Sequence, residues 1–206
     1  MSRIWLYSLG LIGLLLTLSP GPARADAGAI SGDDIVLGNA SAPITIIEYG
    51  ALGCPHCAEF ETTTFPQLKQ NWIDTGKAKY VFRDFPINPP SFRASLLLRC
   101  APRAEYYAFI EQIYADQSTW EGDDEFTVNV PSLKLLAALG GVSGARFDAC
   151  QADKALQNKV AASVQAGQSA GIESTPTILI NGTVLGGGAV SYDVLNRALL
   201  AASKSP

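Results

Sequence analysis

The sequence predicts an α/β fold interrupted by a block of helices, and three observations predict it. A β-branched run over 44–50, an apolar stretch at helical spacing and a second β-rich run over 77–87 follow one another, the order of a parallel strand pair joined by a helix. The stretch 91–153 then carries only helical spacing. A further helix leads to two short strand-like runs around Asn181-Gly182, a strong hairpin signal that supplies an antiparallel pair.

The chain starts with Arg3, an apolar run over 4–18 and the small-residue pattern Ala23-Arg24-Ala25, which reads as a signal peptide over 1–25. A membrane anchor is the rival reading, but the run is shorter than the roughly 18 apolar residues a span needs and is broken by Gly10 and Gly13. No cysteine lies near the cleavage point to carry a lipid. Cleavage leaves 181 residues with thirteen basic and nineteen acidic side chains, a formal charge of −6. Such a surface repels phosphate backbones, so nucleic acid is excluded as a partner. The length suits one domain with an insertion and is enough to bury a core without help from disulfides.

Residues 26–43, rich in Gly, Ala, Ser and Asp, read as a loose lead-in. The first half of the fold spans 44–90: a buried strand bounded by Pro43 and Gly50, a helix that places Phe60, Phe65, Leu68, Trp72 and Ile73 on one face with a kink at Pro66, and a strand ending at Pro86. The helical insertion spans 91–153 and is divided at Pro102, at the acidic stretch 121–125 and at Gly140-Gly141. Its aromatics Tyr106, Tyr107, Phe109, Tyr114 and Trp120 read as its core. The acidic stretch lacks the alternating ligand pattern of a calcium loop and reads as a solvated turn. The last part, 154–206, holds a helix ending at Gly171, the hairpin and an amphipathic helix with Ser191 at its N-cap.

The chemistry points to Cys54-Pro55-His56-Cys57, placed where a strand hands over to a helix. The helix N-terminus offers backbone N–H groups and positive potential to Cys54 and favours its thiolate. Pro55 suits the first helical turn because it has no N–H to leave unpaired. His56 adds positive charge or a hydrogen bond to the same sulfur. An acidic Cys54 is a good leaving group, which makes its disulfide oxidising. Cys57, nearly a turn deeper on the same face, reads as the shielded resolving thiol, with Cys54 the exposed one that meets the substrate.

Two other readings of the thiols are weaker. A tetrahedral zinc site needs two pairs of ligands, yet His56 is the only histidine and Cys100 and Cys150 each stand alone, so no metal and no other cofactor is expected. A structural disulfide between Cys54 and Cys57 would close too short a loop to gain much entropy.

The strand carrying Glu48, the Cys54-Pro55-His56-Cys57 helix start, the helical insertion and Thr175-Pro176 before a strand together resemble the DsbA-like thiol:disulfide oxidoreductases. The match runs from about 44 to 201. It implies a thioredoxin fold with an inserted helical subdomain. It also implies that Thr175-Pro176 is a cis-proline loop facing the sulfurs, with the backbone of Thr175 pairing to an extended substrate segment and Pro55, Thr175 and Pro176 forming the substrate-binding surface. The resemblance places Glu48 near the buried cysteine, where it exchanges a proton with that thiol; the alternative is a solvated acid at a strand edge. Cys100 and Cys150, an otherwise unassigned pair in an oxidising compartment, are expected to be bridged, as in some members of the family, with a relay of electrons through one of them as the alternative.

The function this implies is that of a periplasmic oxidase that introduces disulfides into newly exported proteins with free thiols. It would act as a monomer and be reoxidised by a quinone-linked, DsbB-like membrane partner. A reductase or isomerase of the same compartment is the alternative, since threonine before the proline is shared with isomerases. Those carry a long N-terminal dimerisation segment, whereas about 18 residues separate Asp26 from the first strand. A non-catalytic thiol-binding chaperone is the third reading.

Overall fold

The computed structural model describes residues 28–124 and 126–204; the signal-peptide reading of 1–25 and Glu125 of the acidic stretch lie outside them. A five-stranded sheet in the order β1-β3-β2-β4-β5 is built from β1 (Val36–Leu37), β2 (Ile44–Gly50), β3 (Ala78–Asp84), β4 (Thr177–Ile180) and β5 (Thr183–Gly187). β2 and β3 run parallel, as the strand–helix–strand order requires, while β2–β4 and β4–β5 are antiparallel. The β4–β5 turn is Asn181-Gly182, with φ of 49° and 80°, the left-handed pair that a two-residue hairpin of this type demands.

β2 is central, so both of its faces are buried and its residues sort by parity. Ile44 and Ile46 face the larger core with Tyr80, Phe82, Ile178 and the helix that follows β2. Ile47 and Tyr49 face a smaller core with Val81, Phe85, Ile172 and Leu179. Helix Lys154–Ser169 lies on this second face, close enough that a Cβ on Gly167 would come within 2.8 Å of the Phe85 ring.

The helix after β2 covers 55–73 and alternates α and π geometry: Pro55–Glu59 and Phe65–Leu68 are α, Phe60–Thr64 and Lys69–Ile73 are π. All five apolar residues expected on its inner face are buried. Wider π turns bracket Pro66, so the missing N–H is absorbed by a local change of helical pitch.

The insertion packs helices Pro89–Cys100, Tyr106–Ala115, Gln117–Trp120, Val130–Leu139 and Gly144–Ala152 around Trp120, whose indole N–H donates to the Ile113 carbonyl at 2.8 Å. Tyr107 departs from its expected place in that core. It is half-buried, and its hydroxyl donates to the Ile35 carbonyl at 2.5 Å and accepts from the Phe82 N–H at 3.2 Å, tying the insertion to the sheet edge. Residues 28–43 are likewise not loose: β1 pairs with β3, Asp34 binds Arg83 at 2.8 Å and Asp33 binds Lys159 at 2.6 Å. The alternation of Gly, Ser and Asp hid these ion pairs, whose partners lie far away in sequence. Ser191 occupies the N-cap position of helix Tyr192–Ala202, but its side chain makes no capping bond.

Cys100 and Cys150 form a disulfide across helices Pro89–Cys100 and Gly144–Ala152, with Cα atoms 6.3 Å apart and a sequence separation of 50. Closing a loop of that length removes unfolded-state entropy worth about 4 kcal/mol. Replacing both cysteines by Ala is therefore expected to lower unfolding free energy by up to that amount in a urea titration. An unchanged midpoint would show that the bridge contributes nothing to folding.

Candidate active site

β2 ends at Gly50, and the chain turns through Ala51-Leu52-Gly53, closed by the Cys54 N–H donating to the Ala51 carbonyl at 2.9 Å. This turn is held from outside by the insertion. The Gln117 amide donates to the Leu52 carbonyl at 2.8 Å, the Tyr114 hydroxyl to the Ala51 carbonyl at 3.3 Å, and the Gly53 N–H donates to Ser91 Oγ at 3.2 Å. Cys54 is the N-cap in extended conformation and Pro55 opens the helix, as expected for a proline at its first position.

Burial of the sulfurs corrects one expectation: Cys57 is fully covered, but Cys54 is only 4% exposed. The Thr175 loop covers it. Cys54 Sγ stands 3.4 Å from the Thr175 carbonyl, in hydrogen-bond contact, and the Thr175–Pro176 bond is cis. Cys54 is held down to a pKa of about 5, first by a hydrogen bond from Cys57, then, against its own desolvation, by hydrogen bonds from the Thr175 side chain and from the backbone N–H groups of Cys57 and His56. Cys57 is driven far above the ordinary thiol range by burial, by its bond to Cys54 and by the charge of Glu48. The structure thus gives the two thiols of one motif opposite characters. His56 contributes through its backbone; its exposed imidazole reaches instead to Glu59, Nδ1 to Oε2 at 3.5 Å.

Glu48 is no edge acid. It pairs with Phe82 on one side and Ile178 on the other, is 1% exposed, and shares the parity of Ile44 and Ile46, so it points into the layer that holds Cys57. Burial raises it to about 7 in spite of the Tyr80 hydroxyl, which donates to its Oε2. Its Oε1 has no hydrogen-bond partner among the described residues. A Cβ on Gly50 would sit 2.8 Å from that oxygen, so the glycine leaves the carboxylate its space.

The structure therefore brings Glu48, Cys54, Cys57, Thr175 and Pro176 to one place and sets Cys100–Cys150 apart in the insertion. Sequence reasoning missed two groups. Glu61 lies on the π turn, is buried, and is pushed up to about 9 by desolvation and by the charges of Glu48 and Glu111. Its neighbours Thr62 and Thr63 masked it, although an acid one turn beyond the motif on an inward-facing helix was a signal. Glu121, read as part of a solvated turn, is half-buried against Gly53, and its pKa is raised by burial and by the charge of Cys54.

A thioredoxin-type sheet with a helical insertion, carrying an asymmetric dithiol at a helix start, defines a DsbA-like thiol:disulfide site. The chain belongs to the thioredoxin family, whose profile matches residues 31–200. It is 32% identical over 155 residues to a Rickettsia bellii protein that carries a provisional protein-disulfide oxidoreductase name, an overlap of 74% of this chain and 59% of that one. The chain thus spans somewhat over half the length of that relative. Among solved structures, α-DsbA1 of Wolbachia pipientis superposes with a TM-score of 0.77 at 27% identity, covering 84% of this chain and 92% of that one. Oxidised BdbD of Bacillus subtilis superposes with a TM-score of 0.74 at 25% identity, covering 84% and 94%. The expected thioredoxin fold with its inserted helical subdomain and the DsbA-like resemblance are both borne out.

Proposed function

We propose that this protein is an exported dithiol oxidase that introduces disulfides into other exported proteins. One observation carries the reading: an acidic Cys54 stands at a helix N-terminus while Cys57, one turn below, is buried and strongly basic. In the oxidised protein a substrate thiolate attacks Cys54 Sγ, the Cys54–Cys57 bond breaks, and the electron pair leaves on Cys57. Burial does not tolerate that thiolate, so Cys57 takes a proton. Glu48, beside it and near 7, supplies the proton, and its Tyr80 bond keeps the carboxyl in place. The substrate's second thiolate then attacks its own sulfur in the mixed disulfide and Cys54 departs as a stable thiolate. Two substrate thiols are oxidised and the protein dithiol is reduced.

Support for the other roles comes from placement. The Thr175 backbone lies beside Cys54, where an extended substrate segment would pair with it, flanked by Pro176 and Pro55. Cleavage after Ala25 delivers the chain to the periplasm as a monomer, with domains divided at 43, 90 and 153. A quinone-linked membrane protein of the DsbB kind takes the two electrons from the reduced form and restores the disulfide.

The decisive measurement is the reduction potential of the Cys54–Cys57 pair in redox buffers, with Cys100 and Cys150 followed by mass after thiol labelling. A stabilised Cys54 thiolate favours the reduced form, so the potential is expected well above about −220 mV, the poise of a glutathione pool. A value near the about −270 mV of thioredoxin would replace the oxidase with a reductase or isomerase.

A further inference from the structure

We propose that Glu121 is a specificity-determining residue that makes this site favour polypeptide thiols flanked by cationic side chains over thiols flanked by anionic ones. The inference rests on the oxidase reading above and names the substrates it would prefer.

The backbone around Glu121 is fixed. It follows Trp120, the fully buried centre of the insertion; its N–H donates to the Gln117 carbonyl at 3.0 Å, and it bridges to Val128 across a short loop closed by the Asn129 N–H on the Trp120 carbonyl at 2.8 Å. From there the carboxylate lies against the backbone of Gly53, the residue before Cys54. A Cβ at position 53 would meet Glu121 Oε1 at 2.8 Å, Ser91 Oγ at 2.7 Å and Asn88 Oδ1 at 3.4 Å. The last two are already engaged and mutually bound: Ser91 accepts from the Gly53 N–H and donates to Asn88 at 2.6 Å, and Asn88 also accepts from the Ser91 N–H.

What this wall offers an incoming chain is therefore the Glu121 charge, on a side chain that is half-buried and still reaches solvent. Among the described residues no ion pair neutralises it. The only histidine, His56, is turned to Glu59. A substrate segment lying across Cys54 brings the residues next to its cysteine past Glu121. A lysine or arginine there gains an attraction, and a glutamate or aspartate meets repulsion. Rim charges of this kind act mainly on encounter rates and are screened by salt.

The test compares two dithiol peptides, identical except that lysines or glutamates flank the cysteines, in single-turnover oxidation by the oxidised full chain. The lysine peptide is expected to react faster, and Glu121→Gln to cut the lysine-to-glutamate rate ratio about fivefold, the scale of one partly exposed charge pair. Glu121→Lys is expected to invert the residue's contribution, and salt near 1 M to erase it, since screening there acts within about 3 Å. Thiolate absorbance of each reduced variant tracks the Cys54 pKa, whose change would move both peptides alike and leave the ratio untouched. Oxidation of both peptides with a ratio that Glu121→Gln does not move would overturn this inference and leave the oxidase intact. Failure to oxidise either peptide would overturn both.

Discussion

Cys57→Ala is expected to accumulate as a one-to-one mixed disulfide through Cys54 when the reduced protein meets a peptide disulfide. Cys54 loses in this variant its largest stabilising hydrogen bond, the one from Cys57, but the Thr175 side chain and the backbone N–H groups of residues 56 and 57 still favour its thiolate. That thiolate attacks the disulfide of the peptide, forms its own bond to one half and releases the other as a thiol. In the natural protein Cys57, one helical turn away, attacks Cys54 Sγ intramolecularly, forming the Cys54–Cys57 bond and expelling the bound half as a second thiol, with an effective molarity on the order of 10⁵ M or more. Without it, release depends on a second thiol diffusing to a sulfur that is almost wholly covered. Turnover should fall by orders of magnitude while the covalent adduct persists in mass spectra under non-reducing conditions. Cys54→Ala should form no adduct at all, because the remaining sulfur is buried and strongly basic. An adduct of equal yield through Cys57 would reverse the assignment of nucleophile and resolving thiol.

The positions of these two sulfurs were legible from four residues and a strand before them, because a helix N-terminus acts locally and the motif states its own spacing. The hairpin at Asn181-Gly182 was legible for the same reason. What the sequence did not disclose depends on distant partners. Residues 28–34 look like a flexible lead-in until Asp33 and Asp34 meet Lys159 and Arg83. Glu121 looks like a solvated turn residue until the insertion folds back on Gly53. His56 illustrates the opposite error: adjacency suggested a direct contact with the Cys54 sulfur, and the helix turned its imidazole toward Glu59. Glu48 shows both sides. Its oddity in an apolar strand was plain, but the Tyr80 hydroxyl that holds it and the Glu61 charge that joins it come from elements 32 and 13 residues away.

Glu48→Gln is expected to stabilise the reduced protein above neutral pH and to slow its catalysis, two effects of opposite sign from one carboxyl. Burial raises Glu48 from the usual 4.5 to about 7, so between those values the folded protein keeps a proton that the unfolded chain has released. Unfolding therefore becomes easier as pH rises through this window: the penalty is absent below about 4.5 and complete above about 7. The shift of 2.5 pH units, from 4.5 to 7, corresponds to about 3 kcal/mol. Glutamine has no proton to lose and keeps an oxygen for the Tyr80 hydroxyl, so the variant should escape the penalty. Urea midpoints for the two proteins should coincide near pH 4.5 and diverge with the variant more stable by pH 7. Glu61, raised to about 9 in part by the charge of Glu48, is raised less in the variant, so its own decline is smaller there and the gap widens further above pH 7. In the same pH range the variant cannot hand a proton to the departing Cys57, so the first thiol exchange should slow and lose the pH dependence set by a group near 7. Equal stability at every pH would mean that Glu48 ionises freely when folded. Greater stability with an unchanged exchange rate would mean that the buried acid is a structural burden only, and that the proton for Cys57 comes from elsewhere.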